Sequence, residues 1–253
     1  MPCNYLSTVK VPVLFALVCD GLTYNVSCLA RKIGIRAFPR KIMSQPKNWP
    51  GTLPYLKAPL HSKDLAHSHL AAIRTKPSLS SDIPILPASE TATPCPRVKI
   101  QPISTPSHPA HGQSGLFAAQ NLKPGAFILA YLGRVHSSAG TSAASDYDLW
   151  LDRDADVAVD AAREGNEARF VNDYRGVGPR ANAEFRPAFC ERWGELCIGV
   201  WVLGAGAGAG KKRTKEQGIR KGEEILVSYG KGFWEERRRE LEDGKATEED
   251  SGA

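Results

Sequence analysis

From Gly112 onward the apolar residues of this 253-residue chain fall into short runs, each closed by turn residues. The clearest runs lie at 127–132, 157–159, 196–203 and 225–229. Segments of this length separated by turns predict many small strands rather than repeated βαβ units. The alternation of Arg97-Val98-Lys99-Ile100-Gln101-Pro102-Ile103 predicts the domain's first strand just ahead of them. Residues 234–242 read as a charged, exposed terminal helix.

The front of the chain is different in composition. Residues 1–111 carry 13 Lys and Arg against 4 Asp and Glu, with 15 of the 18 prolines, whereas the remainder has 20 against 23. The overall charge of +6 therefore joins a basic front to a slightly acidic domain. Prolines recurring every few residues, with scattered basic charge, predict a Pro-rich, solvated extended arm over 41–96. Within it, Trp49-Pro50-Gly51-Thr52-Leu53-Pro54-Tyr55-Leu56 is an aromatic island suited to docking on the folded domain. A short helix is expected between Ser62 and Arg74, on the spacing of Leu65, Leu70 and Ile73. Lys and Arg invite contact with nucleic acid, but no basic run of five or more forms in the arm, so a solvated segment explains them better. The densest basic cluster, Lys211-Lys212-Arg213-Thr214-Lys215, follows an alternating Gly-Ala tract in a low-complexity loop at 204–218.

Residues 1–40 leave several alternatives open. The apolar run at 11–19 is too short to span a bilayer and contains Pro12. With Lys10 before it, it has the form of a secretory core, while Arg31, Lys32, Arg36, Arg40 and Lys41 suit a mitochondrial presequence. An unstructured or mis-assigned start fits as well. Cys3, Cys19, Cys28, Cys95, Cys190 and Cys197 show no paired C-x-x-C spacing, so neither a disulfide framework nor a metal site is expected. Reduced thiols fit a nuclear or cytosolic protein. Cys190 and Cys197 read as small core residues.

Two separated blocks carry the chemistry. In Glu223-Glu224-Ile225-Leu226-Val227-Ser228-Tyr229-Gly230 a polar turn leads into a strand that ends on a phenol, and a phenol at a strand end can face a pocket. In Ala168-Arg169-Phe170-Val171-Asn172-Asp173-Tyr174 polar groups crowd around an apolar pair before Gly176 breaks the chain, and such groups need partners. Upstream stand Ser114-Gly115-Leu116-Phe117-Ala118-Ala119 and the run from Leu122 to Gly133, and Asp160-Ala161-Ala162 with Gly165-Asn166 lead into Arg169.

In this order, the blocks resemble the SET-domain family of protein lysine methyltransferases, in a divergent, fungal-type form without the cysteine cluster that many members carry after the catalytic strand. The resemblance spans residues 112–234. It implies a β-rich α+β fold of the β-clip kind, with several small curved sheets and a C-terminal segment threaded, pseudoknot-like, under an earlier loop. The domain is expected over 97–240, followed by an acidic tail at 241–253.

The resemblance also implies S-adenosyl-L-methionine as cofactor. Tyr229 matches the family's catalytic tyrosine, and Tyr131 stands where some relatives place a pore-lining one. Asn172 matches the asparagine that bonds the methionine moiety. Gly115, Leu116 and Phe117 lie where the backbone meets the donor, and Arg169 and Phe170 line it or serve as scaffold. Trp234 or Phe233 is placed to stack on the adenine, or else is a core aromatic. Asp173 replaces the family's usual histidine, and a carboxylate cannot supply an imidazole's N–H. Gly112-Gln113-Ser114-Gly115 displaces one glycine of the opening turn, and Ala130 and Arg134 stand where acidic residues often occur. The expected partner is a protein presenting a lysine, on a histone tail or a non-histone protein, met by a monomer with no membrane attachment. The alternative is a SET-like protein-binding module, catalytically weak or inactive.

Overall fold

The computed structural model describes residues 45–78, 80–142, 145–204 and 218–230. The expectations for residues 1–40, for Lys211 and its neighbours, for Phe233, Trp234 and the terminal helix, and for the acidic tail lie outside them.

The described chain is β-rich, with one α-helix, α1 (His67–Arg74). One four-stranded sheet has the order β2 (Ile85–Leu86), β10 (Ala183–Cys190), β11 (Glu195–Val202), β5 (Phe127–Tyr131). A second runs β1 (Leu60–His61), β6 (Arg134–His136), β8 (Val157–Asp160), β7 (Asp148–Asp152). Two small pairs complete it, β3 (Val98–Pro102) with β4 (Ser114–Ala118), and β9 (Asn172–Asp173) with β12 (Leu226–Val227). Several small sheets are thus what the turn-punctuated apolar runs form.

The long apolar runs became strands because the fold buries both of their faces. Every residue of β5 and of β11 is buried. Ile128 and Leu129 join one core cluster, while Phe127 and Ala130 join a second beneath Trp201. Strand β10 carries Arg186 and Pro187, which mask its pattern. Pro187 is tolerated because β2 pairs only with Phe189 and Cys190, so the proline's missing N–H falls on an open edge. Residues 114–118, expected as part of a glycine-rich turn, form strand β4 against β3, with Gly115 opposite Gln101. The turn itself is at Gly112, which takes the left-handed φ of 81°.

Residues 45–96 are mostly without regular structure, yet from Gln45 on they are not a solvated arm. Trp49 is buried, its ring meeting Tyr55 edge-on at 5.0 Å and Phe170 at 5.7 Å. Ile73 of α1 is fully buried. Strand β1 adds to β6 in parallel and β2 to β10. Prolines prevent long ladders, so this segment attaches through two-residue pairings and side chains.

A buried carboxylate fastens it. Glu195 on β11 is 2% exposed; its oxygens lie 2.9 and 3.0 Å from His61 Nε2, and Arg74 Nε donates to it at 3.5 Å. Substituting Glu195→Gln should cost about 1–3 kcal/mol, because one acceptor oxygen becomes a donor facing donors. The check is a lower denaturant midpoint at unchanged slope. An unchanged midpoint would mean that His61 and Arg74 are satisfied without the charge.

Candidate functional site

Parallel pairing of β12 with β9 sets Leu226 beside Asn172 and Val227 beside Asp173, so the two distant blocks become neighbours. Residues 218–230 reach this position by passing along earlier chain. Ile219 pairs with Leu122, Gly222 N–H donates to Ala118 O, and Ile225 N–H donates to Leu116 O, before Tyr174 N–H closes onto Val227 O. Asn182 holds both sides of the strand's start, donating to Glu224 O and accepting from Leu226 N–H, each at 2.8 Å.

Asp173 faces the strand end. Its carboxylate accepts from Tyr229 N–H at 2.7 Å and from Arg175, through the backbone N–H at 2.8 Å and Nη1 at 2.9 Å. It therefore positions the backbone at Tyr229. The Tyr229 hydroxyl donates to Val171 O at 2.7 Å, and the Tyr131 hydroxyl donates to Tyr147 O at 2.8 Å.

Tyr131, Tyr147 and Tyr229 form an electrostatic group. Burial first, then the neighbouring Tyr147 and Asp173, push the Tyr229 phenol well above its ordinary value. Burial, then Tyr229 and Asp160, do the same to Tyr131. Both phenols are thus neutral hydroxyls at physiological pH. The guanidinium of Arg169 lies 4.3 Å from the ring centre of Tyr147 and 5.1 Å from that of Phe170, while its Nε donates to Ala161 O. Phe170 itself is buried against Trp49. Arg169 thereby orders the tyrosine group, and Phe170 the core beneath it.

The second part of the site surrounds Gly115. A Cβ added there would lie 2.5 Å from Glu224 Oε1 and 3.1 Å from Asn172 Nδ2. Asn172 Nδ2 donates to Glu224 Oε1 at 2.8 Å. Leu116 is fully buried, and Phe117 is half-buried and bridges to Glu224 through the backbone. Gly115→Ala should destabilise the domain by roughly 1–3 kcal/mol and loosen Asn172, since the held Glu224 carboxylate must move. A melting point equal to that of the unchanged protein would show that the carboxylate yields freely.

Three residues of the site were not singled out by sequence. Tyr147 precedes an edge strand and shows its role only through Tyr131 and Arg169. His108, in a loop, contacts Glu224. Asn166 is 1% exposed, donates to Ala130 O and accepts from Leu132 N–H, closing the end of β5. Its place in the block before Arg169 was the one available signal. Among the described residues no group of His, Cys, Asp or Glu is arranged to hold a metal, and no helix is long and apolar enough to cross a membrane.

Fold and site together define a β-rich domain of small sheets, in which a short parallel pair lies beside a partly buried tyrosine group and a polar cluster packed on Gly115. No family model matches the sequence, and no curated protein matches it. Among solved structures the chain is similar to the Chaetomium thermophilum Polycomb Repressive Complex 2 bound to GSK126, with TM-score 0.39 and 22% identity over 54% of this chain. It is also similar to the Polycomb Repressive Complex 2 of that organism in a second crystal structure, with TM-score 0.38 and 23% identity over 53% of this chain. The chain spans 16% of the first of those chains and 15% of the second.

Proposed function

We propose that this protein is an S-adenosylmethionine-dependent protein lysine N-methyltransferase, acting on a histone tail or a non-histone protein. The observation that carries the reading is the β9–β12 pairing, which gathers Asn172, Tyr229 and the tyrosine group of Tyr131 and Tyr147 from distant sequence blocks. The residues present suit the cofactor. Gly115 lets Glu224 and Asn172 pack directly on its backbone, and Asn172 offers a half-buried polar group to the methionine moiety.

When bound, S-adenosylmethionine supplies an electrophilic methyl group. The chain's own contribution is binding, orientation and exclusion of water. A lysine amine must be neutral to react, although its ordinary pKa is about 10.4. A lysine brought against Tyr131, Tyr147 and Tyr229 would be partly desolvated, which disfavours the ammonium. The phenols, held neutral, bring hydroxyl oxygens and no charge. The ammonium releases its proton to water before reaction, so no general base is required, and alignment of the neutral amine is worth several kcal/mol as an orientation effect.

Calorimetric titration with S-adenosylmethionine tests the reading, followed by a methylation assay on Tyr229→Phe. Absence of binding at millimolar cofactor would overturn it. One observation favours a second reading, a binding module without catalysis: Asp173 is committed to Tyr229 N–H and Arg175. Under that reading cofactor binds and no protein becomes labelled.

A further inference from the structure

Glu224 joins two side chains that are far from it and from each other in the sequence. Its Oε1 accepts from Asn172 Nδ2 at 2.8 Å, and its Oε2 lies 3.0 Å from His108 Nε2. The side chains of His108 and Glu224 are each only 9% exposed. The geometry assigns the protons. Ala110 N–H donates to His108 Nδ1 at 3.0 Å, so a neutral ring carries its proton on Nε2 and directs it at Glu224. A carboxylate accepts and does not donate, so the amide of Asn172 turns its NH2 to Glu224. Its Oδ1 then faces the other way and has no partner among the described residues. Gly115 closes a further side, since a Cβ there would press on Glu224 Oε1.

We infer that His108 and Glu224 are positioning residues. Together they lock the Asn172 amide with its oxygen outward, so that the site selects a ligand bringing an N–H donor. The inference rests on the methyltransferase reading, under which that donor is the α-ammonium group of S-adenosylmethionine. Without the His108 proton, Glu224 Oε2 loses its partner and the carboxylate is free to rotate. Asn172 can then flip and present NH2 to a cation. The Glu224→Gln substitution goes further, because its own NH2 can donate to Asn172 Oδ1 and hold the amide reversed.

The experiment uses the full chain and two probes, S-adenosylhomocysteine and its des-amino analogue, which differ only at the α-ammonium group. The unchanged protein should prefer S-adenosylhomocysteine. In His108→Leu and Glu224→Gln that preference should fall about tenfold, the worth of one hydrogen bond to a charged group. The His108→Gln variant, whose amide can donate to Glu224 as Nε2–H does, should retain it. Binding of the des-amino analogue should stay within about twofold throughout, whereas a merely structural role would weaken both probes alike. Equal losses for the two probes, or an unchanged preference in both His108→Leu and Glu224→Gln, would overturn the positioning role and leave the methyltransferase reading standing. If the unchanged protein binds neither probe, that reading falls and the inference with it. Should His108→Leu fail to fold, Glu224→Gln and His108→Gln still decide between these outcomes.

Discussion

Under the proposed methyltransferase function, Tyr229→Phe should lower the rate of lysine methylation by about 100-fold or more, the usual scale for removing one group that stabilises a transition state. Cofactor affinity should stay within a few-fold. The substitution keeps the ring and removes only the hydroxyl, which now donates to Val171 O at 2.7 Å. Because burial keeps the phenol protonated, the lost group is a neutral dipole and not a base. Its loss therefore falls on orientation of the amine and not on proton removal. The Val171 carbonyl loses its donor as well, at about 1–3 kcal/mol if no water replaces it, so melting must be measured beside the rate. A fall in kcat with little change in cofactor dissociation constant is the expected pattern. A rate within threefold of the unchanged protein, with methylation otherwise robust, would remove Tyr229 from the chemistry. Tyr131→Phe should have a smaller effect, since Tyr131 is buried whereas Tyr229 is half-buried, and its hydroxyl acts by holding Tyr147 through the backbone.

What could be read in advance follows from how far each signal extends along the chain. Strands β5 and β11 are buried on both faces, so their unbroken apolar runs announced them. The approach of Asn172 and Tyr229 was legible only through the family resemblance, which assigns both blocks to one site. Strands β1 and β2 are two residues long and pair with partners far along the chain, so no local period marks them. Strand β10 was hidden by Arg186 and Pro187, which only an open edge allows. His108 lies in a polar loop near three prolines and resembles any solvated histidine in sequence; only the return of residues 218–230 past β4 brings Glu224 to it. Asp173 was legible as a departure. Its consequence, a carboxylate bound to Tyr229 N–H, depends on a pairing between β9 and β12 that composition does not contain.

The fold should lose stability steeply on the alkaline side, and the buried phenols set where. Burial, with Glu167 beside it, raises the Tyr55 phenol; burial first raises Tyr131 and Tyr229, Tyr229 adds to the rise at Tyr131, and Tyr147 adds to both. A group whose pKa is higher folded than unfolded binds its proton more tightly in the native state. Its stabilisation is complete below the unfolded value, about 10 for tyrosine, and is lost as pH rises from there toward the folded value. The buried thiols of Cys95 and Cys197 are raised in the same sense, again by burial first, and start from about 8.5 unfolded. The denaturant midpoint should therefore hold level from pH 7 to about 8.5, decline gently, and drop sharply above about pH 10, where all three phenols favour the unfolded chain. Equilibrium denaturation across pH 7–11 measures this, and Tyr131→Phe should flatten the upper limb by removing one titrating group. A level midpoint through pH 11 would mean that the phenols reach water in the native state. Under the proposed function the lysine amine gains reactivity over the same interval, since it must shed a proton to attack. Methylation should accordingly climb with pH until the fold fails, and its upper limit should coincide with melting. If activity instead fell near pH 10 while the fold remained intact, ionisation of Tyr229 or Tyr131 within the site would be the cause, and the burial that keeps them neutral would be weaker than the structure implies.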